Sequence, residues 1–305
     1  MNVDITRKAS IIIPCTRPKS VRKTIDSLLA QVDCLEDYEI IVIGKLLPDF
    51  RQIYKNDKII LVKTPELFPP SKARNLGAQR AKEDILIFID DDCEAISGLI
   101  DSYLSFFGKK RIGAVTGKII GKSKKFFSAC LDYSNFYSHL SDKEKEVDRF
   151  ISATFAIRKD LFNFLKGFDE DIFGEEEIEL AARIKKAGFL IVYSPCIAVI
   201  HNHNRDTFSK MIKYHYKSGL SAGLSLSLRH RDNLKTKIKF RLRHYYIFMI
   251  IPFTVWSVQK ALREVFKLTK KAFLYAPFIF INHLSYQLGV FKWTLTLSES
   301  RSGRI

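Results

Sequence analysis

Four short runs of apolar, mostly β-branched residues recur in the first ninety positions, and segments with helical periodicity separate them. The runs are almost continuously apolar and do not alternate with polar positions, which is typical of strands buried on both faces of a parallel sheet. Alternation of such strands with amphipathic helices predicts βαβ units. The predicted strands are residues 10–14, 39–43, 58–62 and 85–89, and the predicted helices are residues 20–31, 70–82 and 97–107.

The middle third of the chain has a different pattern, in which an aromatic stretch and a charged loop interrupt the strands. An amphipathic helix is predicted at residues 175–187, because its apolar residues form a broad arc. Gly188 is expected to end this helix, since glycine is favoured just past a helix end. The predicted strands of this part are residues 114–120, 151–158, 189–193 and 197–200.

The last hundred residues are predicted to be helical, at 207–228 and 235–243, and they contain two stretches without charged residues, 244–259 and 272–291. A helix that spans a membrane needs about 20 predominantly apolar residues. The first stretch is too short, and the second contains four polar residues. We therefore expect shallow or monotopic membrane insertion instead of two spanning helices. The polar residues are Asn282, His283, Ser285 and Gln287.

Positive charge is concentrated in the same C-terminal segment. Residues 201–305 contain 19 Lys or Arg against 4 Asp or Glu, whereas residues 1–200 contain 31 against 29. A surface that binds nucleic acid presents Lys and Arg with few apolar stretches. This basic segment is interleaved with long apolar stretches, so we predict no nucleic acid partner and instead contact with an anionic membrane surface. The alternative is a helical pair packed on the rest of the chain, with a solvated basic face. The flanking basic residues are Lys235, Lys237, Lys239, Arg241, Arg243, Lys270 and Lys271.

The five cysteines are widely spaced, odd in number and without a CxxC pair, so the sequence predicts neither a disulfide framework nor a structural zinc site. A reducing environment is expected. The first ten residues lack the apolar stretch of a secretory signal peptide. Together with the basic segment, these features predict a cytoplasmic protein, peripheral or monotopic at the inner face of the cell membrane.

The most distinctive motif is Asp90-Asp91-Asp92, which follows the predicted strand at 85–89 directly. In an extended chain alternate side chains point the same way, so Asp90 and Asp92 can converge while Asp91 points elsewhere. Open α/β sheets bind ligands at the carboxyl ends of their strands. Carboxylate oxygens suit Mg²⁺ or Mn²⁺, which makes Asp90 and Asp92 candidate metal ligands. The alternative is a solvated acidic loop before the next helix.

A second acidic group opens the predicted helix at 175–187. Glu175, Glu176, Glu177 and Glu179 lie within five positions. Acidic residues commonly occupy the first turn of a helix because they interact with its dipole, and this is the alternative interpretation. Four carboxylates exceed that requirement. Crowded like charges raise carboxylate pKa values, so this group is a candidate source of a general base.

Two further groups are candidates for contact with a metal or an anion. His201 and His203 occupy alternate positions after a predicted strand, and one imidazole could join the metal of the aspartate triplet; packed or surface histidines are the alternative. The helix that begins at Pro70 carries Lys72 and Arg74 near its free backbone N–H groups, which could face an anion. For Arg74 the alternative is a solvated helix face.

Taken in order, four segments resemble the successive motifs of family 2 glycosyltransferases of the GT-A fold, over roughly residues 10–219. The resemblance implies an α/β fold in which a GT-A type, Rossmann-like mixed sheet is flanked by helices in a catalytic domain at 1–205. A helical, basic region at 206–305, expected to associate with a membrane, follows it. The segments are SIIIPCTRPKSVRKTIDSLLAQ, PSKARNLGAQRAKEDILIFIDDDC, FDEDIFGEEEIELAARIKKAGF and AVIHNH.

The resemblance implies roles for individual residues. Asp90 and Asp92 match the DxD motif that holds the divalent metal and the diphosphate of the nucleotide sugar, and Asp91 is assigned to donor binding. Glu177 matches the catalytic base, with Glu176 beside it. The histidine after the last core strand, a further metal ligand, is His201 or His203. The remaining candidates for donor binding are Pro14, Arg17, Arg74 and Glu179.

The activity implied is transfer of a sugar from a nucleotide-diphosphate sugar to an acceptor hydroxyl, with inversion and with Mn²⁺ or Mg²⁺. A lipid-linked or surface glycan is the expected acceptor. Family members usually carry a base-reading carboxylate after the second strand, but here Gly44-Lys45-Leu46 follows it, so the nucleotide is left open. The alternatives are a non-catalytic glycosyltransferase-like protein and a nucleotidyltransferase on a related fold, although no Gly-rich phosphate loop follows the first strand.

Overall fold

The computed structural model describes residues 8–31, 38–172, 174–229 and 246–302. The predicted helix at 235–243, with its five basic residues, and Cys34 lie outside the described residues. The chain divides into two compact units. The α/β unit comprises residues 1–122, 142–170 and 176–202, and the helical unit comprises residues 123–141, 171–175 and 203–305.

The predicted apolar runs form strands at the centre of the α/β unit. β1 (Ala9–Cys15) and β2 (Tyr38–Gly44) are buried along their whole length, as their lack of alternation predicts. The other strands are β3 (Ile59–Lys63), β4 (Ile85–Ile89), β5 (Cys93–Ala95), β6 (Ile112–Gly121), β7 (Lys145–Glu146), β8 (Thr154–Arg158) and β9 (Leu190–His201).

Within the described residues these strands form one nine-stranded sheet in the order β3-β2-β1-β4-β8-β6-β9-β5, with β7 paired to β9. β1 runs parallel to β2 and β4, and β2 runs parallel to β3, as the βαβ pattern predicts. β8 is antiparallel to both β4 and β6, so the sheet is mixed. The predicted mixed α/β architecture is confirmed.

The helices predicted at 20–31, 70–82, 97–107, 175–187 and 207–228 lie close to their predicted positions, whereas two others, at 50–53 and 126–136, were not predicted. In chain order the helices that the structure describes are α1 (Val21–Leu29), α2 (Phe50–Ile53), α3 (Pro70–Arg80), α4 (Leu99–Phe106), α5 (Phe126–Phe136), α6 (Lys159–Phe164), α7 (Glu176–Lys186), α8 (Phe208–Arg229), α9 (Tyr246–Leu268) and α10 (Ala272–Ser302). The aromatic stretch of the middle third is α5, which belongs to the helical unit with α8, α9 and α10.

The prediction of two strands at 189–193 and 197–200 is wrong, because β9 is one continuous strand. Its register against β6 shifts where Gly117 pairs with Ser194 and Lys118 pairs with Ala198. This bulge needs a glycine, since a Cβ on Gly117 would lie 2.4 Å from the carbonyl oxygen of Ile197. The polar break in the sequence therefore marks a bulge within the strand.

One core face of the sheet is packed with aromatic rings and with the apolar sides of α3, α6 and α7. Phe88 of β4 stacks on Phe155 of β8 with ring centroids 4.7 Å apart, and Phe155 also stacks on Phe150 at 4.1 Å. These contacts hold α3 and α7 near the carboxyl end of β4, where the aspartate triplet begins.

Gly77 allows α3 to lie close to the sheet. A Cβ at this position would lie 2.4 Å from Cγ2 of Ile12 and 2.7 Å from Cδ1 of Ile43. Alanine is favoured over glycine in a helix by about 1 kcal/mol, but overpacking of a core costs about 1–3 kcal/mol. We expect Gly77→Ala to lower the free energy of unfolding in urea. Gly108→Ala is the control, because a Cβ at Gly108 meets nothing within 4 Å. Equal effects of the two substitutions would contradict this account.

The helical unit is built on close contact between α8 and α10. A Cβ on Gly219 would lie 2.0 Å from the carbonyl oxygen of Tyr286, and a Cβ on Gly289 would lie 2.2 Å from that of Tyr216. Glycine therefore permits the backbones of the two helices to touch. Among the helices that the structure describes, none is both long and apolar enough to cross a membrane.

Candidate functional site

The aspartate triplet lies where β4 ends; Asp90 contacts Arg74, whereas Asp91 and Asp92 both contact Arg17. Asp91, the middle residue, is buried and accepts hydrogen bonds at Oδ2 from the backbone N–H groups of Thr16 and Arg17, both at 2.6 Å. Its Oδ1 accepts bonds from Arg17 Nε at 2.8 Å and Nη2 at 2.5 Å. Asp91 therefore fixes the loop that follows Pro14 and Cys15 of β1. The predicted donor-binding residues Arg17 and Asp91 are therefore in direct contact.

Asp92 is buried and lies against His201. The separation between Asp92 Oδ1 and His201 Nε2 is 3.4 Å, and Arg17 Nη1 lies 2.5 Å from Asp92 Oδ2. β5 produces this proximity, because its Cys93 pairs with His201 of β9 in antiparallel register. The backbone N–H of Asn202 also donates to the Asp92 carbonyl oxygen at 2.8 Å. A strand of three residues thus joins two motifs that are 109 positions apart in the sequence.

The residues at this point fit a divalent cation. One ligand atom from each of Asp92, Cys93 and His201 lies within 4.8 Å of the others, and all three residues are buried. Burial, and then the charges of Asp90 and Asp92, raise the pKa of the Cys93 thiol well above its usual value when no cation is bound, and thiolate ligands suit softer metals than Mn²⁺ or Mg²⁺. A buried carboxylate and an imidazole remain, and both are ligands that Mn²⁺ accepts.

Arg74 of α3 connects the aspartate triplet to the acidic helix. Its side chain is buried, with Nη2 at 2.7 Å from Asp90 Oδ1 and Nη1 at 3.0 Å from Glu176 Oε1. The alternative of a solvated helix face is therefore wrong for Arg74. Its guanidinium also lies over the ring of Phe168, at 5.6 Å. Burial raises the pKa of Asp90, and the charge of Arg74 opposes that shift.

The acidic residues of α7 have different surroundings. Glu176 is buried and paired with Arg74, whereas Glu177 is half-buried in the first turn. Glu179 pairs with Arg183 one turn later, with its Oε1 2.7 Å from Nε of that arginine. Arg183 also donates to the carbonyl oxygens of Leu165 and Gly167. Glu179 thus stabilises the turn before α7 through Arg183.

The two predicted histidines belong to different units. His203 lies in the helical unit, where its Nε2 is 2.9 Å from Asp132 Oδ1 on α5. The backbone N–H of Arg205 donates to His203 Nδ1 at 3.3 Å, so Nε2 carries the proton that is donated to Asp132. Of the two candidates, His201 is the one that contacts Asp92.

Several contributors were not identified from the sequence. The side-chain amide of Asn75, next to Arg74 on α3, donates to the carbonyl oxygen of Phe168 and accepts from its N–H, both at 2.9 Å. Gly167 must be glycine here, because its φ is +67° and a Cβ would lie 2.6 Å from Asn75 Oδ1. The Gly167-Phe168-Asp169 turn before the acidic helix could be recognised in the sequence, but Asn75, which binds Phe168, lies 93 positions earlier on α3.

The last residue of β2, Gly44, opens the Gly44-Lys45-Leu46 segment that lacks the expected base-reading carboxylate, and it has no room for a side chain. Gly44 has φ of +148°, and a Cβ there would lie 2.2 Å from the carbonyl oxygen of Cys15. The close approach of β1 and β2 at this point therefore requires glycine. Gly44 therefore contributes no side chain to contact with a nucleoside.

A model of glycosyl transferase family 2 matches residues 10–165, which is half of the chain. The chain belongs to this family. The match extends from β1 through the aspartate triplet to α6. The predicted resemblance to family 2 glycosyltransferases is confirmed.

Curated relatives of this family 2 chain include the pre-mycofactocin glycosyltransferase of Mycobacterium tuberculosis, 25% identical over 74% of this chain and 49% of the relative. The O-antigen chain rhamnosyltransferase WbaN of Salmonella anatum is 29% identical over 57% of this chain and 59% of the relative. The chain thus spans about half the length of the first of these proteins.

Solved structures confirm the predicted GT-A fold. The mannosyltransferase PcManGT of Pyrobaculum calidifontis, in complex with GDP-Man and Mn²⁺, superposes with a TM-score of 0.63 at 13% identity, over 95% of this chain and 87% of that one. GalNAc-T7 with UDP, GalNAc and Mn²⁺ gives a TM-score of 0.54 at 15% identity, over 72% of this chain and 51% of that one.

Proposed function

We propose that this protein transfers a sugar, of the hexose type, from a nucleotide-diphosphate sugar to an acceptor hydroxyl, with inversion at the anomeric carbon. The observation that carries this proposal is the contact of Asp92 with His201. Beside this contact, Arg74 connects Asp90 to Glu176 of the acidic helix α7. In this arrangement Asp92 and His201, which can ligate a metal, and a carboxylate of the first turn of α7 lie around the end of one buried strand. The relatives, named as glycosyltransferases, support the same reaction class.

Asp92 and His201 are the residues that would hold a divalent metal, with Asp90 oriented beside them by Arg74. When bound, Mn²⁺ or Mg²⁺ neutralises negative charge on the diphosphate leaving group. His203, committed to Asp132 in the helical unit, is assigned a positioning role for the segment that follows β9. The complexes of PcManGT and GalNAc-T7 with Mn²⁺ support a divalent metal in this fold.

Glu177 is the residue we assign as general base. Glu176 is buried and engaged in an ion pair with Arg74, so its carboxylate is committed to holding α7 against α3. Glu177, half-buried one position later, is the carboxylate that we assign to take the proton of the attacking hydroxyl. Attack on the face opposite the leaving diphosphate gives inversion. In this scheme Glu176 positions the first turn of α7 and Glu179 stabilises the turn before it.

We further propose that Pro14, Arg17 and Asp91 form the nucleotide side of the donor site, because Asp91 fixes the β1 loop that carries Arg17. The proposed acceptor is a lipid-linked or surface glycan at the cytoplasmic face of the membrane. The basic, apolar C-terminal segment supports this location. The similarity to an O-antigen chain rhamnosyltransferase supports a glycan acceptor.

The experiment that tests the reaction is release of nucleotide from a panel of UDP-, GDP-, dTDP- and CMP-sugars by the purified full chain, with Mn²⁺ or Mg²⁺ and then with EDTA. We expect one nucleotide class to be released, and we expect EDTA to abolish the release because the leaving diphosphate loses its counter-charge. Direct binding of each donor, measured by calorimetry, accompanies the assay. A chain that neither binds nor cleaves any of these donors would be a non-catalytic member of the family.

A further inference from the structure

The first half of α9 presents large apolar side chains that are exposed to solvent. Phe248 is 74% exposed, Trp256 is 65% exposed and Ile251 is 54% exposed. Apolar patches of this kind on soluble proteins mark interaction sites. We refer to Phe248, Ile251 and Trp256, with their exposed neighbours Ile247, Met249, Phe253 and Val255, as the α9 apolar face.

The helix has a separate stripe that supplies its contacts in the helical unit. Ile250, Thr254, Val258, Ala261 and Val265 are buried and recur every three or four positions. Three of these residues pack in a cluster with Tyr137, Ala272 and Ile279. A helix packed on one side normally carries polar residues on the other. The α9 apolar face is therefore distinct from the buried stripe, and its large side chains remain exposed.

Basic residues continue the same surface. Lys260, Arg263, Lys267, Lys270 and Lys271 are exposed in the second half of α9 and the turn before α10. Lys260 lies over the Trp256 ring at 5.8 Å, and exposed Phe266, Phe273 and Leu274 lie among the lysines in the sequence. Glu264, the acidic residue of α9, is paired with Lys267 at 2.8 Å. Apolar rings bordered by cations are the composition of an interfacial membrane anchor.

We propose that the α9 apolar face is a docking surface for a lipid bilayer with anionic headgroups, with its rings in the headgroup region and Lys267, Lys270 and Lys271 on the phosphates. The proposal rests on the membrane location proposed above and names the residues that provide it. The charge complementarity identifies the occupant, because a second copy of this chain would bring the same cations against these lysines.

The fluorescence of Trp256 can report on lipid binding at this face, because the chain contains only one other tryptophan, Trp293. The Trp293→Phe variant leaves Trp256, and Trp256→Phe leaves the half-buried Trp293 as a matched control. Titration with vesicles of phosphatidylcholine and phosphatidylglycerol should shift Trp256 fluorescence to the blue, and brominated lipid should quench it, without either effect on Trp293. Acrylamide should quench Trp256 before vesicles are added. Protection of Trp256 without lipid would overturn the proposal, because another part of the chain or a second copy would then cover the face.

Substitutions separate the apolar and charged contributions. Each basic residue near an anionic surface contributes about 1 kcal/mol, which is about a fivefold effect on partitioning. Lys267→Gln, Lys270→Gln and Lys271→Gln together should reduce binding to anionic vesicles about a hundredfold, whereas the same changes at exposed Lys55, Lys109 and Lys110 in the α/β unit should not. Phe248→Ser with Trp256→Ser should abolish sedimentation with vesicles. Phe164→Ser is the control, since Phe164 is 75% exposed but lies in the α/β unit.

The result that overturns the proposal is equal binding to neutral and anionic vesicles, or binding that these variants leave unchanged. Self-association without lipid that the Phe248 and Trp256 double variant removes would also overturn it, in favour of a second copy as the occupant. Nucleotide release from a soluble donor is measured on the same variants and should be unchanged. Vesicle binding without donor cleavage would support the α9 apolar face as a lipid-binding surface but contradict the proposed sugar transfer.

Discussion

Replacing Glu177 with Gln is expected to lower the rate of nucleotide release by about 10²–10⁴-fold, the usual contribution of a general base. Glutamine keeps the size of the side chain but cannot accept the proton of the attacking hydroxyl or water. Because Glu177 is half-buried and Glu176 holds the ion pair with Arg74, we expect little change in the unfolding free energy. The measurement is steady-state release with the donor that the panel identifies, together with the donor Kd from calorimetry, which should change less than about twofold.

Two neighbouring carboxylates are the controls for this experiment. Glu176→Gln should lower stability, since it removes a partner of buried Arg74. Glu179→Gln should weaken the contact of Arg183 with Gly167, in the turn between α6 and α7, but should leave Glu177 in place as the proton acceptor. Normal turnover by the Glu177→Gln variant would contradict the assignment of Glu177 as the general base. Equal loss in all three variants, with equal loss of stability, would show that the helix and not one carboxylate is responsible.

The strands on one side of the sheet were predictable because each is marked by a run of apolar residues within its own short segment. β1, β2 and β4 are almost continuously apolar and are buried along their whole length, β3 at the sheet edge is apolar but partly buried, and helices separate the four strands. β5 could not be predicted, because three residues are too few to show a period. The continuity of β9 was missed for a different reason, since its bulge is accommodated by Gly117 on another strand.

Some features of the candidate site were likewise predictable from the sequence, and others were not. The position of the aspartate triplet and of the acidic helix followed from the strand and helix pattern. The direction of each side chain did not, because it depends on the order of strands in the sheet: Asp91 reaches the loop after β1, 74 or 75 positions away. The distinction between His201 and His203 likewise depends on β5 and α5, which were not predicted.

Arg74→Met is expected to destabilise the α/β unit by about 3–5 kcal/mol, the usual cost of removing one partner from a buried ion pair. Arg74 is the charge that Asp90 and Glu176 share, at 2.7 and 3.0 Å, and its side chain is 3% exposed. Methionine fills much of the space but leaves both carboxylates without their counter-charge. Arg74→Lys should recover only part of the loss, because a single ammonium does not reproduce the fork that reaches both partners. The free energy of unfolding in urea is the measurement.

Arg80→Met is the control on the same helix, since Arg80 is exposed in the last turn of α3 and surface substitutions usually change stability by less than about 0.5 kcal/mol. A double variant, Arg74→Met with Glu176→Gln, separates the loss of the ion pair from the loss of packing. If the uncompensated charge of Glu176 is part of the cost, the double variant should be more stable than the sum of the two single changes predicts, by about 0.5–3 kcal/mol. Strict additivity would mean that Arg74 supports α3 through its contact with Phe168 and not by neutralising the carboxylates that connect β4 to α7.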